Sequence, residues 1–307
     1  MGKEIKDSGE QADDAKGKFS GFTSVLSGMG TALKAAAAAT AAAVAGAATA
    51  IGALTTKAIE GYAAQEQLVG GVETLFKTSS DTVVGYANDA YKTAGMSANE
   101  YMETVTSFSA SLLASMNNDT AAAAEKANVA ITDMSDNANK MGTDISLTQN
   151  AYNGFAKQNY TMLDNLKLGY GGTKEEMQRL LDDASKLSGI KYDISSYSDV
   201  VDAIHVVQTE MGITGTTAKE ASTTIEGSVS SMSSAWDNWV AGMADSEANF
   251  SQLTSNLVDS IVTVVGNIAP RVIETVPRLV SGLGEIVEQL ATYIPQVIQE
   301  LLPPLMS

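Results

Sequence analysis

The sequence has 307 residues, of which 44% are apolar and 6% aromatic, so it can bury one or two hydrophobic cores. Its formal net charge of −17 excludes nucleic-acid binding by counterion release, and we expect no sequence-specific binding of nucleic acid. The chain has no cysteine and one histidine, which excludes disulfides, thiolate metal sites, cysteine nucleophiles and clusters of histidine ligands.

The N-terminal part of the chain contains two segments of different composition. Residues 1–18 are polar and mix acids with lysines, which predicts a frayed or partner-dependent helix. Residues 19–61 are rich in Ala and Gly, and no residue between Lys34 and Lys57 is charged. About twenty such residues in a helix span roughly 30 Å, the thickness of the hydrocarbon core of a bilayer. A packed helix and a membrane span are therefore the two interpretations of this segment.

Residue size favours the packed helix. Alanine is the strongest helix former but only marginally apolar, and small residues let helix backbones approach each other closely. Gly46 with Ala50, and Ala48 with Gly52, form two pairs of small residues four positions apart. We expect close helix packing first, and membrane entry after the packing partners are removed. The residues predicted to make these contacts are Ala35, Val44, Gly46, Ala50, Ile51, Gly52 and Leu54.

Residues 62–245 have the pattern of a helical core domain. A Ser or Thr followed three residues later by an acid, the capping-box pattern, occurs at Ser97, Thr173 and Thr217. After Thr173 the apolar residues follow in steps of three and four until Gly189, which predicts an amphipathic helix. No stretch shows a convincing alternation of apolar and polar residues, so we expect an all-α domain.

Three residues of this domain are candidates for chemistry or membrane contact. His205 lies in the apolar pattern VDAIHVVQ, and we interpret it as a core or boundary residue rather than a catalytic base. Trp236 and Trp239 share one helix face, which predicts core packing; a membrane-interface anchor is the alternative. The loop GYGGTK lacks the spacing of a phosphate-binding loop. We predict no catalytic, cofactor-binding or metal-binding residue.

Residues 246–307 combine heptad periodicity with all five prolines of the chain. Three apolar rows repeat every seven residues and form a stripe broader than the seam of a two-stranded coiled coil. The prolines predict a kinked helix or short helices laid end to end. We expect several copies of the chain to associate in parallel through these rows. Two rows contain the predicted oligomer contacts Ile273, Val276, Val280, Leu283, Val287, Leu290, Ile294, Val297 and Leu301, and the third contains Val272, Leu279, Ile286 and Tyr293.

The stretch AYNGFAKQNYTMLDNLKLGYGGTKEEMQRLLDDASKL, Ala151–Leu187, resembles the core of tail tape measure proteins from long-tailed phages of Gram-positive hosts. Glu73–Leu113 is similar to the upstream part of the same domain, and Gly215–Trp236 is similar to its end. The Pro-punctuated tail is similar to the repeats that usually follow that domain. The resemblance covers about residues 20–305.

This resemblance implies a structural protein of the virion rather than an enzyme, and no cofactor. Such proteins lie extended in the lumen of the tail tube, set its length during assembly in the host cytoplasm, and leave ahead of the DNA. The implied partners are further copies, tail tube and distal tail proteins, tail assembly chaperones, and the host membrane during ejection. Because 307 helical residues span at most ~460 Å and family members are commonly much longer, we interpret the chain as the central part of such a protein.

A second class of protein fits the same sequence features. A helical pore-forming toxin or a secretion translocator would also combine helices, an uncharged hairpin and the lack of a catalytic motif. A peptidoglycan hydrolase, a third class, has no supporting constellation of residues. Leakage of liposomes caused by the purified protein alone would favour the pore-forming class.

Overall fold

The structure, a computed structural model, describes residues 41–271, Glu274 and Arg278, with side chains from Ala53 onward. Every regular element within these residues is helical, which confirms the predicted all-α class. The α-helices are α1 (Ala41–Phe76), α2 (Ser80–Thr93), α3 (Ala98–Ser115), α4 (Thr120–Met141), α5 (Ile145–Phe155), α6 (Lys174–Ser188), α7 (Tyr197–Glu210), α8 (Thr216–Thr223), α9 (Ile225–Gly242) and α10 (residues 250–271). Two 3-10 turns lie at Lys77–Ser79 and Leu163–Leu166.

Two of the helix starts predicted from the sequence are confirmed by side-chain caps. Ser97 and Glu100 form the complete capping box of α3: the Ser97 hydroxyl accepts the N–H of Glu100 at 3.3 Å, and the Glu100 carboxylate accepts the N–H of Ser97 at 2.8 Å. Thr173 caps α6, and Gly189 ends that helix in the left-handed conformation. These caps could be predicted from the sequence because the capping groups lie within three residues of each other.

The predicted cap at Thr217 is wrong. Helix α8 begins at Thr216, and its N-cap residue, Gly215, has no side chain to offer. Instead, the carboxylate of Asp136 on α4 accepts the N–H of Gly215 at 2.6 Å and that of Thr217 at 2.7 Å. A different helix therefore supplies the group that satisfies the first N–H groups of α8.

The main hydrophobic core lies between the C-terminal half of α1 and helices α2 to α7. Helix α4 crosses its middle and packs against α1, α2, α3, α5, α7 and α8. Helix α1 runs without a break across residue 61, where composition had placed the border of the Ala-rich segment. The described part of the Ala-rich segment, residues 41–61, thus shares one helix with the core. The largest fully buried side chains of this core include Phe76, Tyr101, Phe108, Tyr152, Phe155, Leu163 and Leu166.

A smaller apolar cluster joins α9 and α10 to α2. The side-chain amide of Asn267, late in α10, donates to the carbonyl of Thr224, before α9, at 3.0 Å. The indole N–H of Trp239, late in α9, donates to the hydroxyl of Thr254, early in α10, at 3.0 Å. The two helices therefore form an antiparallel hairpin whose turn, residues 243–249, contains the boundary that composition predicts between residues 245 and 246. The buried members of the cluster are Tyr91, Val229, Met232, Ala235, Leu257 and Val264.

Candidate functional site

The predicted packing residues of the Ala-rich segment lie on the first turns of α1, except Ala35, which is outside the described residues. Within residues 41–271, no helix combines the length and the apolar character that crossing a membrane requires. The described side chains show a close approach later in α1, where a Cβ on Gly61 would lie 3.2 Å from the Cβ of Ala241 on α9. Leu54 is half-buried, and Val44, Gly46, Ala50, Ile51 and Gly52 belong to the part of α1 whose side chains are not described.

The two tryptophans lie at the turn end of the α9–α10 hairpin, near the C-terminus of α9. Both are half-buried and pack against the smaller apolar cluster. The rings of Trp236 and Trp239 are 5.3 Å apart, and the ring of Trp239 is 5.5 Å from that of Phe250. Aromatic pairs at such distances contribute about 0.5–1.5 kcal/mol beyond area burial. The three rings therefore hold the start of α10 against the end of α9.

The outer face of α10 exposes three valines to solvent. Val258, Val262 and Val265 are 51%, 65% and 57% exposed, and their spacing of four and three places them on one face of the helix. A neighbouring face packs on α9 through Leu257 and Val264, which are 6% and 1% exposed. Helix α10 is thus apolar on two faces and covered on one. We call the three exposed valines the outer valine face.

The outer valine face continues the heptad rows of the sequence backwards. Counting back by seven from Val272 gives Val265 and Val258, and counting back from Val276 gives Ala269 and Val262. Sequence reasoning had placed the predicted oligomer contacts later, and all nine of them lie outside the described residues. The signal that would have found the valines was the same period of seven, followed upstream through Pro270.

The Gly-rich loop before α6 is closed by its own side chains. The N–H of Gly171 donates to the Glu176 carboxylate at 3.0 Å, and Arg179 donates to the carbonyl of Gly169 at 2.8 Å. The Arg179 guanidinium also lies over the ring of Tyr170, 4.3 Å from its centre. The Glu176 carboxylate already takes the place that a bound anion would have against the N–H of Gly171. The loop is therefore a folded connection rather than an open phosphate-binding loop.

Within Ala151–Leu187, the stretch that resembles the tape measure core, the backbone packs closely against itself. Two glycine positions there have no room for a side chain. A Cβ on Gly172 would collide with the carbonyl of Thr161, and one on Gly154 would lie 2.9 Å from the carbonyl of Asn159. The hydroxyl of Tyr160 donates to the carbonyl of Ile194 at 2.8 Å, which ties the stretch to the loop before α7. The stretch is therefore a tightly fitted unit of the main core.

Helix α4 presents polar side chains to the interior of the bundle. The Asn137 amide donates to the carbonyl of Leu166 at 2.9 Å, which fixes the second 3-10 turn. Asp136 holds the start of α8, as described above, and Asp133 contacts His205 on α7. Each of these side chains ties α4 to a different segment of the chain. The polar residues of α4 that are 3% exposed or less are Asp133, Ser135, Asp136 and Asn137.

Asp133 and His205 form a pair of titratable side chains at the edge of the main core, and the pKa of each is shifted. The Nδ1 atom of His205 lies 3.0 Å from both carboxylate oxygens of Asp133. Burial raises the pKa of Asp133 to about 6, although the hydrogen bond with His205 opposes the shift. That same hydrogen bond raises the pKa of His205 above its usual value. The histidine lies at the boundary of the core, as its sequence context had suggested.

A groove of about 660 Å³ opens between α1, α9 and the start of α10. Its lining includes the carboxylates of Glu60, Asp237, Asp245 and Glu247 and the single cation of Lys57. The groove therefore repels anions, in keeping with the acidic balance of the whole chain. In the described part of the chain, no group of three or more His, Asp or Glu residues is arranged to hold a metal ion.

Comparisons of the chain with models of protein families, with curated proteins and with solved structures found no match.

Proposed function

We propose that this chain is the central part of a phage tail tape measure protein, a structural protein of the tail tube lumen. Two observations support the proposal: the resemblance of Ala151–Leu187 to the core of that family, and the outer valine face of α10. The valine face carries the structural part of the argument, because it is an uncovered apolar surface in register with the heptad rows.

A helix that is apolar on two faces needs partners on both. Helix α9 covers one face of α10, and further copies of the chain would cover the other. Burying the three half-exposed valines would contribute roughly 3–5 kcal/mol per copy, which reaches only the low end of what association costs. The contact therefore requires the apolar rows that follow in the sequence, such as Val276, Leu283 and Leu290. Parallel copies in heptad register bring all of these residues together.

The proposed division of labour places the length-setting element after the compact bundle. Helices α1 to α9 fold back on each other, so adding residues there does not add proportional length. An extended heptad segment adds about 1.5 Å for each helical residue. The proposed partners are further copies, tail tube and distal tail proteins, and tail assembly chaperones, with the host cytoplasm as the place of assembly. Contact with the host membrane during DNA ejection is part of the same proposal.

Tail length provides the test. In the phage or prophage that encodes the chain, deleting residues 279–292 removes two heptads and should shorten the tail by about 21 Å, and duplicating them should lengthen it equally. Electron microscopy of purified tails measures the difference of about 42 Å between the two variants. The deletion changes both the length of the segment and its apolar rows. Replacing the same residues by a Gly/Ser sequence of equal length is the matched control, because it removes the apolar rows and keeps the number of residues. Tails of equal length in the deletion and duplication variants, or tails that lack the protein, would contradict the proposal.

A further inference from the structure

A buried carboxylate and the only histidine of the chain meet at the interface between α4 and α7. Asp133 on α4 is 1% exposed, whereas the side chain of His205 on α7 is 38% exposed. The histidine therefore reaches solvent, from which it can take or lose a proton, and its Nδ1 atom contacts both oxygens of the carboxylate at 3.0 Å. This geometry connects the pH of the solvent to a charge inside the bundle.

The charged groups around the pair are already engaged elsewhere. Lys126 on α4 forms an ion pair with Asp202 on α7, at the same interface. The carboxylate of Asp136, also on α4, accepts two backbone N–H groups at the start of α8. On α5, Tyr152 is fully buried, and its phenol is hydrogen-bonded to Gln208. The imidazolium of His205 is therefore the cation that compensates the buried charge of Asp133.

Both members of the pair shift the stability in the same direction with pH. The raised pKa of His205 means that its contribution is complete below about 6.5, the usual value, and is lost as the pH rises through the folded-state pKa. The raised pKa of Asp133, about 6, means that its folded-state carboxyl holds a proton that the unfolded chain releases near pH 4. The interface is therefore tighter in mild acid and looser at alkaline pH.

We propose that Asp133 and His205 form a proton-operated latch between α4 and α7. The latch is closed while the pair holds its proton, and it loosens when that proton leaves and the carboxylate remains buried without a cation. Because α7 also packs against α6, loosening reaches the Gly-rich loop and the stretch that resembles the tape measure core. The inference is independent of the proposed function, since it concerns the stability of the bundle itself.

Proton NMR of the full chain provides a direct test, because a single histidine gives a single titrating imidazole signal. The pKa of His205 should lie above 6.5 in the wild type and fall when Asp133→Asn removes the charge. A wild-type pKa at or below 6.5, or one that Asp133→Asn leaves unchanged, would overturn the latch.

Hydrogen exchange of the α7 amides measures the consequence. Between pH 6 and pH 8.5, after correction for intrinsic exchange, the opening constant of α7 should rise about tenfold for each unit by which the His205 pKa is raised. Asp133→Asn and His205→Gln should each flatten this dependence. The matched control is Lys126→Met, which breaks the neighbouring ion pair of the same two helices and should retain the rise. An equal rise in wild type and Asp133→Asn would overturn the proposal even if His205→Gln fails to fold.

Discussion

Helices α4 and α10 reverse the usual arrangement of polar and apolar residues in opposite ways. Helix α4 carries polar side chains such as Asp136 and Asn137 into the interior, and α10 presents valines to solvent. Of the buried polar side chains of α4, those of Asp133, Asp136 and Asn137 bond to backbone groups or side chains of other segments of the same chain. The outer valines of α10 have no such cover within the described residues.

A buried polar residue and an exposed apolar residue are both unusual, and what each one indicates depends on whether it has a partner within the same chain. A buried polar group with an internal partner stabilises one particular packing of helices. An exposed apolar face without an internal partner indicates a contact outside the folded unit. We therefore interpret α4 as a helix that stabilises the packing of the bundle, and the outer valine face of α10 as the candidate interface. The following predictions, in order of decreasing effect on stability, test that contrast.

Removing the carboxylate of Asp136 should have the largest effect. Asp136→Ala leaves the partly buried N–H of Gly215 and the buried N–H of Thr217 without their acceptor, which should lower the free energy of unfolding by about 2–4 kcal/mol. Urea unfolding followed by circular dichroism measures the loss. The control, Asp136→Asn, keeps one acceptor oxygen and should lose less. Equal losses in the two variants would show that the interhelical cap does not hold α8.

The Gly-rich loop belongs with α4 in this contrast, because its groups are satisfied inside the chain. Gly172→Ala places a Cβ against the carbonyl of Thr161 and should lower the free energy of unfolding by about 1–3 kcal/mol. Gly171→Ala is the matched control, since its Cβ would meet Glu176 at an ordinary 3.5 Å. Thermal unfolding of both variants measures the difference, and similar melting temperatures would contradict the close approach.

The two faces of α10 should respond differently to the same substitution. Val264→Ala removes two methyl groups from the buried face and should cost about 1–2 kcal/mol of stability. Val262→Ala, on the outer valine face, should cost less than about 0.5 kcal/mol in a dilute, unassociated sample. Urea unfolding at low and high protein concentration separates the effects. If Val262→Ala were as costly as Val264→Ala at low concentration, the outer face would be part of the fold.

Local sequence signals predicted much of this fold, and long-range contacts account for what they missed. The helical class and the caps at Ser97 and Thr173 follow from patterns that span a few residues. The cap at Gly215 could not be predicted, because its acceptor lies on Asp136, 79 residues earlier. The contact of His205 with a carboxylate 72 residues earlier was equally invisible, although its boundary position was expected.

The outer valine face lies upstream of the residues that the sequence predicts as oligomer contacts, and that prediction stays a prediction. The period of seven identified the apolar rows from Val272 onward, within the tail predicted to begin at residue 246. Whether Val258, Val262 and Val265 were covered by α9 depended on how α10 packs, which no local pattern encodes. Since Leu257 and Val264 belong to the same apolar stretch, tertiary packing alone separates the buried face from the free one.

Disulfide cross-linking tests the central claim most directly, because the chain has no cysteine of its own. In parallel copies in heptad register, Val262→Cys places two thiols of neighbouring chains side by side, whereas Gln252→Cys places them on another exposed face of the same helix. Mild oxidation of the full-length chain, followed by non-reducing electrophoresis, should give cross-linked species rapidly for Val262→Cys and slowly for Gln252→Cys. Equal rates for the two variants, or monomers alone for both, would contradict the assignment of the outer valine face as the interface.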